Sequence, residues 1–215
     1  MQTYKILLKG GRGEIIEKKS RFIATIQPVT TEEEAAAFIE ATKKKYWDAR
    51  HNCTAMVIGR NSELTRCSDD GEPSGTAGRP MLEVLTGEEL HDVAVVVTRY
   101  FGGTLLGTGG LVRAYSQAVK EGLKSCEIGI LRDGRKLKIS MPYTELGRVQ
   151  NYCKNAEQSI DDIIYQENVI VTITVPEEEF AIRTKQLQDI CSGKLILEDL
   201  GSCTFLDKQS SNRYS

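Results

Sequence analysis

The sequence predicts an α+β protein built from two domains. Three observations support this prediction: β-branched runs alternate with helical patterns, the pattern changes near residue 133, and the second part follows the order β-α-β-β-α-β. Hydrophobic residues make up 40% and charged residues 27% of the 215 residues, as in globular chains with a sizeable core. We expect an N-terminal domain over residues 1–132, a C-terminal domain over 135–206 and a polar tail over 207–215.

The first part is predicted to contain five strands and three helices. The predicted strands cover residues 14–17, 22–28, 53–58, 63–67 and 93–100, and the predicted helices cover 31–46, 81–86 and 110–125. Thr31 and Glu34 have the spacing of a capping box, and Pro80 suits the first turn of a short helix. The run Val93–Tyr100 is apolar on both faces, which predicts a central strand.

The second part begins after Arg132, Asp133 and Gly134, which are interpreted as a linker. Its predicted strands cover residues 136–141, 159–165, 169–175 and 194–205, and its predicted helices cover 143–155 and 177–191. This order is that of a ferredoxin-like domain. Strict alternation over residues 169–175 predicts a sheet with one packed face and one hydrated face.

Charge and composition exclude several classes of protein. The formal net charge is −2 and neither part is a polycation, so a non-specific grip on nucleic-acid backbone is not indicated. No segment has the length of a membrane span or the pattern of a signal peptide, so we expect a cytoplasmic protein without a membrane partner. Six scattered cysteines without a CxxC pair predict reduced thiols rather than a zinc site. Basic residues near the N-terminus form either a local basic face or a solvated helix end: Lys9, Arg12, Lys18, Lys19, Arg21, Lys43, Lys44, Lys45 and Arg50.

A loop over residues 69–80 concentrates glycines, prolines and polar side chains. The alternatives are a ligand, metal or partner site and a loop in which Asp and Gly merely build turns. Because the density of functional groups exceeds what a turn needs, we favour a site. Its candidate residues are Asp69, Asp70, Glu72, Ser74, Thr76 and Arg79.

A second glycine-rich segment joins the predicted central strand to the helix after it. Backbone amides at a helix N-terminus attract anions, so an anionic ligand is expected at the loop from Gly102 to Gly110. The spacing matches neither a Walker A loop nor GxGxxG, and the alternative is a glycine loop required for tight strand–helix packing. The candidate residues here are Arg99, Thr104, Thr108 and Arg113.

His51 and Cys53 lie two residues apart on a predicted strand. Such a pair suggests a nucleophile with its base, whereas the plain alternative is an edge histidine near a buried cysteine, which we favour. His91 is interpreted as a loop residue.

Three long motifs resemble the IMPACT family in its bacterial, YigZ-type branch. They are WDARHNC at residues 47–53, SDDGEPSGTAGRPML at 68–82 and VVVTRYFGGTLLGTGGLVRAYSQAV at 95–119, and KKSRF at 18–22 also fits. The resemblance implies a ribosomal protein S5 domain 2-like N-terminal domain and a ferredoxin-like C-terminal domain of the DUF1949 type. This pairing is similar to the last two domains of elongation factor G, which implies contact with RNA or the translation machinery. Eukaryotic members of the family are regulators of translation that act partly through an additional N-terminal domain. We expect that domain to be missing here, so their kinase-pathway role is not carried over.

We therefore expect a non-catalytic binding protein linked to translation, with RNA, the ribosome or a translation factor as its partner. No cofactor and no metal are assigned. The alternative is an enzyme acting on a phosphate-bearing small molecule, with a metal ion at Asp69, Asp70 and Glu72. A peptidase-like activity of His51 and Cys53 ranks last. The expected contact residues are Asp69, Asp70, Glu72, Thr76, Arg79, Arg99, Thr104, Thr108, Arg113 and His51.

Overall fold

A computed structural model describes the backbone of residues 4–213 and the side chains of residues 4–207. The chain divides into two compact units, Tyr4–Ile130 and Leu131–Leu206. Within residues 4–213, no helix has the length and apolar character that crossing a membrane requires.

The first unit is built around a five-stranded antiparallel sheet. The strands of this unit are β1 Tyr4–Lys9, β2 Gly11–Glu17, β3 Ser20–Pro28, β4 His51–Ile58, β5 Leu64–Ser68, β6 Leu90–His91 and β7 Val93–Tyr100. Its helices are α1 Glu32–Lys45, α2 Gly78–Gly87 and α3 Thr108–Leu123. The sheet has the order β2-β3-β7-β4-β5, and β1 pairs in parallel with β6. The predicted central position of β7 is confirmed.

Both faces of this sheet are packed because its central strands carry apolar residues on both sides. On one face, Phe22, Val95 and Cys53 pack with residues of α2 and α3. On the other face, Val96 and Met56 pack with residues of α1. Alternate residues of one strand therefore point to the two helical layers, which decides the layer in which each polar side chain lies.

The start of α1 follows the predicted cap with one difference. The Thr31 hydroxyl accepts a hydrogen bond from the Glu34 amide at 3.2 Å, as expected for an N-cap. The Glu34 carboxylate accepts from the Thr30 amide at 2.7 Å and from the Thr30 hydroxyl. The return bond of the capping box thus reaches one residue further back than the motif predicts.

The second unit has the ferredoxin-like order. Its elements are β8 Glu127–Met141, α4 Tyr143–Asn155, β9 Ile160–Tyr165, β10 Val169–Pro176, a 3-10 turn Glu177–Glu179, α5 Phe180–Ile190 and β11 Ile196–Arg213. The strands lie in the order β11-β8-β10-β9. Residues of α4 and α5 pack on the alternate buried residues of β10, whose exposure alternates strictly along the strand. The predicted α+β class with a ferredoxin-like second domain is confirmed.

Three predicted features are corrected by the structure. The interpretation of Arg132–Gly134 as a linker is wrong, because β8 runs through these residues and a Cβ at Gly134 would lie 2.6 Å from the Val175 carbonyl oxygen and 2.8 Å from the Phe205 ring. The expected polar tail from residue 207 is replaced by β11, which continues to Arg213. His91 belongs to β6 rather than to a loop, and β1 was not predicted.

Candidate functional site

Four connections of the first unit meet at one end of its sheet. The register pairs Glu17 with Ser20 across the β2–β3 turn, and places the end of β7 beside the starts of β3 and β4. The chain before β4, the β5–α2 loop and the β7–α3 loop lie at the same end, because antiparallel neighbours alternate in direction. We call this the loop end of the sheet, and all three long motifs of the sequence reach it.

Asp69 organises the β5–α2 loop from within. Its Oδ2 accepts from the Gly75 amide at 2.8 Å, and its Oδ1 accepts from the amides of Ala77 at 3.0 Å and Gly78 at 2.9 Å. Partial burial by itself raises the pKa of Asp69, but the three amide hydrogen bonds outweigh it and lower the pKa below its ordinary value. This carboxylate therefore shapes the loop that leads into α2.

Asp70 joins the same loop to two neighbouring elements. Its carboxylate accepts from the Asn52 amide at 2.7 Å and pairs with Lys43 of α1 at 3.1 Å. Its backbone carbonyl contacts His51 Nδ1 at 2.8 Å, and its φ of 44° lies in the left-handed region that Asp tolerates. Asp70 fixes the loop against β4 and α1.

Glu72 forms the centre of a buried polar cluster, which consists of His51, Cys53, Glu72, Arg99 and Tyr115. Its Oε1 accepts from Arg99 at 2.6 Å and from the Tyr115 hydroxyl at 2.8 Å, and lies 4.0 Å from His51 Nε2. Only 7% of the Arg99 side chain and 3% of the Glu72 side chain are exposed. Removal of one partner from an ion pair this deeply buried strongly destabilises the fold, because the other charge is left uncompensated.

The Arg99 guanidinium is also enclosed by two aromatic rings. Its Cζ lies 5.5 Å from the centre of the Phe22 ring and 5.7 Å from that of Phe101. Its Nε is buried and has no hydrogen-bond partner among the residues whose side chains are described. Arg99 thus anchors the end of β7 and is not a surface cation.

Cys53 is a protonated thiol in this cluster. Its Sγ lies 3.0 Å from the Asp69 carbonyl oxygen and 3.3 Å from the Tyr115 hydroxyl. Burial raises the pKa of the Cys53 thiol to about 12, and the nearby carboxylates Glu72, Asp70 and Asp69 add to the effect. Because the thiolate is the nucleophile, this environment disfavours the peptidase hypothesis.

The remaining candidates of the 69–80 loop have separate positions. The Thr76 hydroxyl is buried and donates to the Pro73 carbonyl at 2.6 Å, so it closes a turn. Ser74 is exposed. Arg79 lies on the outer side of α2, where it pairs with Glu83 at 3.1 Å and leaves 77% of its side chain exposed. Arg79 therefore takes no part in the buried polar cluster.

The β7–α3 loop follows the predicted strand–loop–helix pattern. Thr104 and Thr108 are exposed, and α3 begins at Thr108 after Gly107, whose φ is 73°. A Cβ at Gly102 would lie 2.0 Å from the backbone carbon of Lys19, so this glycine permits close contact with the β2–β3 turn. Close packing of the loop, the alternative explanation for these glycines, therefore applies at Gly102.

Beside this loop lies a groove of about 460 Å³ between the β2–β3 turn and α3. Three exposed cations line it: Lys18, Arg113 and Lys120. We call it the basic groove; its other lining residues are Ile15, Glu17, Leu106, Gly110, Val112, Ala114, Ser116 and Gln117. One carboxylate against three cations gives it a positive balance, and the start of α3 adds the partial positive charge of a helix N-terminus.

The ten predicted residues thus separate into two groups. His51, Asp69, Asp70, Glu72, Thr76 and Arg99 hold the loop end together internally, whereas Arg79, Thr104, Thr108 and Arg113 remain exposed to solvent. Within residues 4–207, no three His, Cys, Asp or Glu side chains are grouped so that they could hold a metal ion.

Tyr115 and Lys120 were missed by the sequence analysis. Tyr115 follows Leu111 by four residues on the buried side of α3, and a tyrosine at a core position requires a partner for its hydroxyl. That signal predicts a buried polar partner without identifying it as Glu72. Lys120 becomes relevant only because α3 packs against β2, and no local pattern predicts that contact.

Comparison with known proteins places these loops in a family. The Impact N-terminal domain model matches residues 18–123, and a domain of unknown function, DUF1949, matches residues 139–194. The chain is 42% identical to the IMPACT family member YvyE of Bacillus subtilis, over 97% of this chain and 95% of that protein. It is 36% identical to the IMPACT family member YigZ of Escherichia coli, over 84% of this chain and 89% of that one.

A eukaryotic relative matches less than half of the chain, whereas a solved structure matches most of it. Protein IMPACT-A of Xenopus tropicalis is 37% identical over 43% of this chain and 30% of its own length. A crystal structure titled as that of a hypothetical protein has a TM-score of 0.59 and 34% identity, and the match covers 92% of this chain and 97% of the other. The similarity extends over both domains and supports the predicted fold class. On these matches, the chain belongs to the IMPACT family.

Proposed function

We propose that this chain is a non-catalytic binding protein of the translation machinery, which contacts RNA on the ribosome through the loop end of its first unit. One observation carries the proposal: the basic groove collects the exposed cations Lys18, Arg113 and Lys120 beside a glycine loop. Exposed Lys and Arg side chains with free backbone amides suit phosphate groups. The family resemblance implies a role in translation, and RNA of the translation machinery would provide these phosphate groups.

The acidic side chains of the loop end support binding rather than catalysis. All three hydrogen bonds to the Asp69 carboxylate come from its own loop, and the Asp70 carboxylate binds Lys43 and the Asn52 amide. Glu72 is paired with Arg99 inside the protein. A catalytic carboxylate needs access to substrate, so these contacts favour a structural task for the acidic residues and leave the exposed cations as the contact groups.

The overall charge of the protein limits the size of the expected contact with RNA. A net charge of −2 gives no general attraction to nucleic acid, so the binding energy comes from a local group of cations and from shape. Three cations imply a small contact with moderate salt dependence.

The alternative, an enzyme for a phosphate-bearing small molecule, draws on the same groove. Its volume of about 460 Å³ lies in the range of small-ligand sites. However, Asp69 and Asp70, which that hypothesis assigns to a metal ion, already bind backbone amides and Lys43. Stabilisation of the protein by nucleotides with Mg²⁺, measured as a shift in Tm, would favour this alternative.

Co-sedimentation with ribosomes tests the proposal. The triple variant Lys18→Gln, Arg113→Gln and Lys120→Gln removes the cations of the basic groove without touching the buried polar cluster. We expect it to bind ribosomes at least about tenfold more weakly than the unmodified chain, because each lost phosphate contact weakens binding. A matched control removes three exposed lysines of the second unit: Lys136, Lys154 and Lys185. Equal binding of both variants and the unmodified chain would contradict the proposal.

A further inference from the structure

Trp47 is the only tryptophan of the chain and is 82% exposed. It lies in a turn after α1 that is held on both sides. The Ala49 amide donates to the Tyr46 carbonyl at 3.0 Å, and the Asp48 carboxylate accepts from the Tyr100 hydroxyl at 2.8 Å. The large ring is therefore presented to solvent from a fixed backbone, and no packing within the protein accounts for its presence there.

Cations stacked on aromatic rings surround this turn. Arg12 Cζ lies 6.0 Å and Lys45 Nζ lies 5.3 Å from the centre of the Tyr46 ring. Arg21 Cζ lies 6.0 Å from the centre of the Tyr100 ring. These six residues, Arg12, Arg21, Lys45, Tyr46, Trp47 and Tyr100, form what we call the aromatic-basic patch.

Two carboxylates partly balance the charge of the patch. Glu14 accepts from Arg21 at 2.5 Å and lies 3.9 Å from Arg12, while Asp48 is hydrogen-bonded to Tyr100. Three cations against two carboxylates leave the patch positive. The side chains of Arg12 and Arg21 are about half exposed, so their guanidinium groups remain open to a second anion.

From this arrangement we infer that the aromatic-basic patch binds a single-stranded segment of RNA, with one base stacked on Trp47 and the adjacent phosphates beside Arg12, Arg21 and Lys45. Stacking on an exposed aromatic ring requires an unpaired base, whose face is free. The centre of a protein–protein interface is depleted of charge, whereas here cations lie over the rings of Tyr46, next to Trp47 in the chain, and of Tyr100. The chemistry therefore fits a polyanion that carries flat apolar groups.

The patch and the basic groove flank the same turn between β2 and β3, at the edge of the sheet. Lys18 lines the groove on the face covered by α3, whereas Arg21, three residues later, points to the opposite face. An RNA strand that contacts both therefore passes round this edge. The inference rests on the proposed function and deepens it, because it specifies single-stranded RNA as the partner and Trp47 as its contact.

The single tryptophan provides a direct test. The full chain at fixed concentration is titrated with an RNA oligonucleotide of about ten nucleotides, and the duplex form serves as comparison; for anisotropy, a fluorescently labelled copy of the oligonucleotide is titrated with the chain. We expect the single strand to quench Trp47 emission to saturation and the duplex to leave it nearly unchanged. By fluorescence anisotropy, Trp47→Ala should weaken single-strand binding roughly 5- to 150-fold, and Trp47→Phe, which keeps a ring, should weaken it less.

Tyr165→Ala is the matched control, because Tyr165 is an aromatic residue of the second unit that is 61% exposed. Single-strand affinity that is unchanged by Trp47→Ala, or binding without quenching, would overturn the inference. If Trp47→Ala weakens ribosome binding but the free single strand is not bound, the patch contacts protein and the RNA assignment is wrong. Ribosome binding that persists in Trp47→Ala but is lost in the groove triple variant would leave the proposed function standing and remove this inference alone.

Discussion

Arg99 and Glu72 form an ion pair that is almost completely enclosed, and they explain at the scale of single residues how the loop end is held. Glu72 lies 27 residues before Arg99 and 43 before Tyr115, so the pair connects the β5–α2 loop with β7 and α3. A sequence pattern can show that Arg99 follows a strand, but it cannot show which carboxylate the chain brings to it. For this reason the sequence predicts Arg99 only as a contact residue for a ligand or partner.

Replacement of Arg99 by alanine leaves the Glu72 carboxylate buried with one strong donor removed. We expect Arg99→Ala to lower the free energy of unfolding by about 3–5 kcal/mol, measured by urea denaturation. Arg79→Ala is the control, since it breaks an exposed pair with Glu83 and should cost at most about 1 kcal/mol. Similar losses in the two variants would show that the Arg99 pair is not the buried anchor described here.

The lowered pKa of Asp69 makes its contribution to stability dependent on pH. A carboxyl group whose pKa is lower in the folded state stabilises the fold above its unfolded pKa and loses this effect as the pH falls through the folded pKa. We expect Asp69→Asn to be destabilised by about 1–2 kcal/mol at pH 7. The difference from the unmodified chain should shrink as the pH falls below about 4. A difference in the free energy of unfolding that stays constant from pH 7 to pH 3 would contradict the role assigned to Asp69.

At the scale of elements, strongly patterned segments are predictable from the sequence and long-range pairings are not. The β-branched run Val93–Tyr100 and the cap at Thr31 carry their own local signals, and both appear as predicted. β1 pairs with β6, which lies about 85 residues later in the chain. The formation of β1 therefore depends on a distant partner, which no local sequence pattern shows. Arg132–Gly134 has the composition of a turn, but β8 runs through it and Gly134 pairs with Pro176 of β10.

The β7–α3 loop depends on contact between Gly102 and the β2–β3 turn. A methyl group at Gly102 would collide with the backbone of Lys19, so Gly102→Ala must displace the loop. We expect a loss of about 1–3 kcal/mol in the free energy of unfolding, with weaker ribosome binding because the basic groove changes shape.

Gly109→Ala is the matched control, because a Cβ at Gly109 would meet no atom within 4 Å and the residue lies in the first turn of α3. Alanine should be neutral or slightly stabilising there. Equal stability of the two variants in urea denaturation would show that the close approach at Gly102 does not hold the loop.

At the scale of the whole molecule, this member of the IMPACT family uses Asp69, Asp70 and Glu72 to hold the loop end together, whereas the cations Lys18, Arg113 and Lys120 are exposed beside it. The buried polar cluster joins β4, β7 and α3 to the β5–α2 loop, while the cations of the basic groove and of the aromatic-basic patch are exposed. The candidate motifs could be found from sequence because of their glycines and charges. Their division into internal and exposed groups could not, since it depends on which side of each strand the helices cover.

The salt dependence of ribosome binding tests most directly whether the exposed cations are the contact. For the unmodified chain, the logarithm of the binding constant should fall linearly with the logarithm of salt concentration. In the variant with Lys18→Gln, Arg113→Gln and Lys120→Gln, the slope should decrease in magnitude by roughly 2–3, while the second-unit control variant keeps the original slope. Identical slopes for all three proteins, or binding that does not depend on salt, would contradict the account.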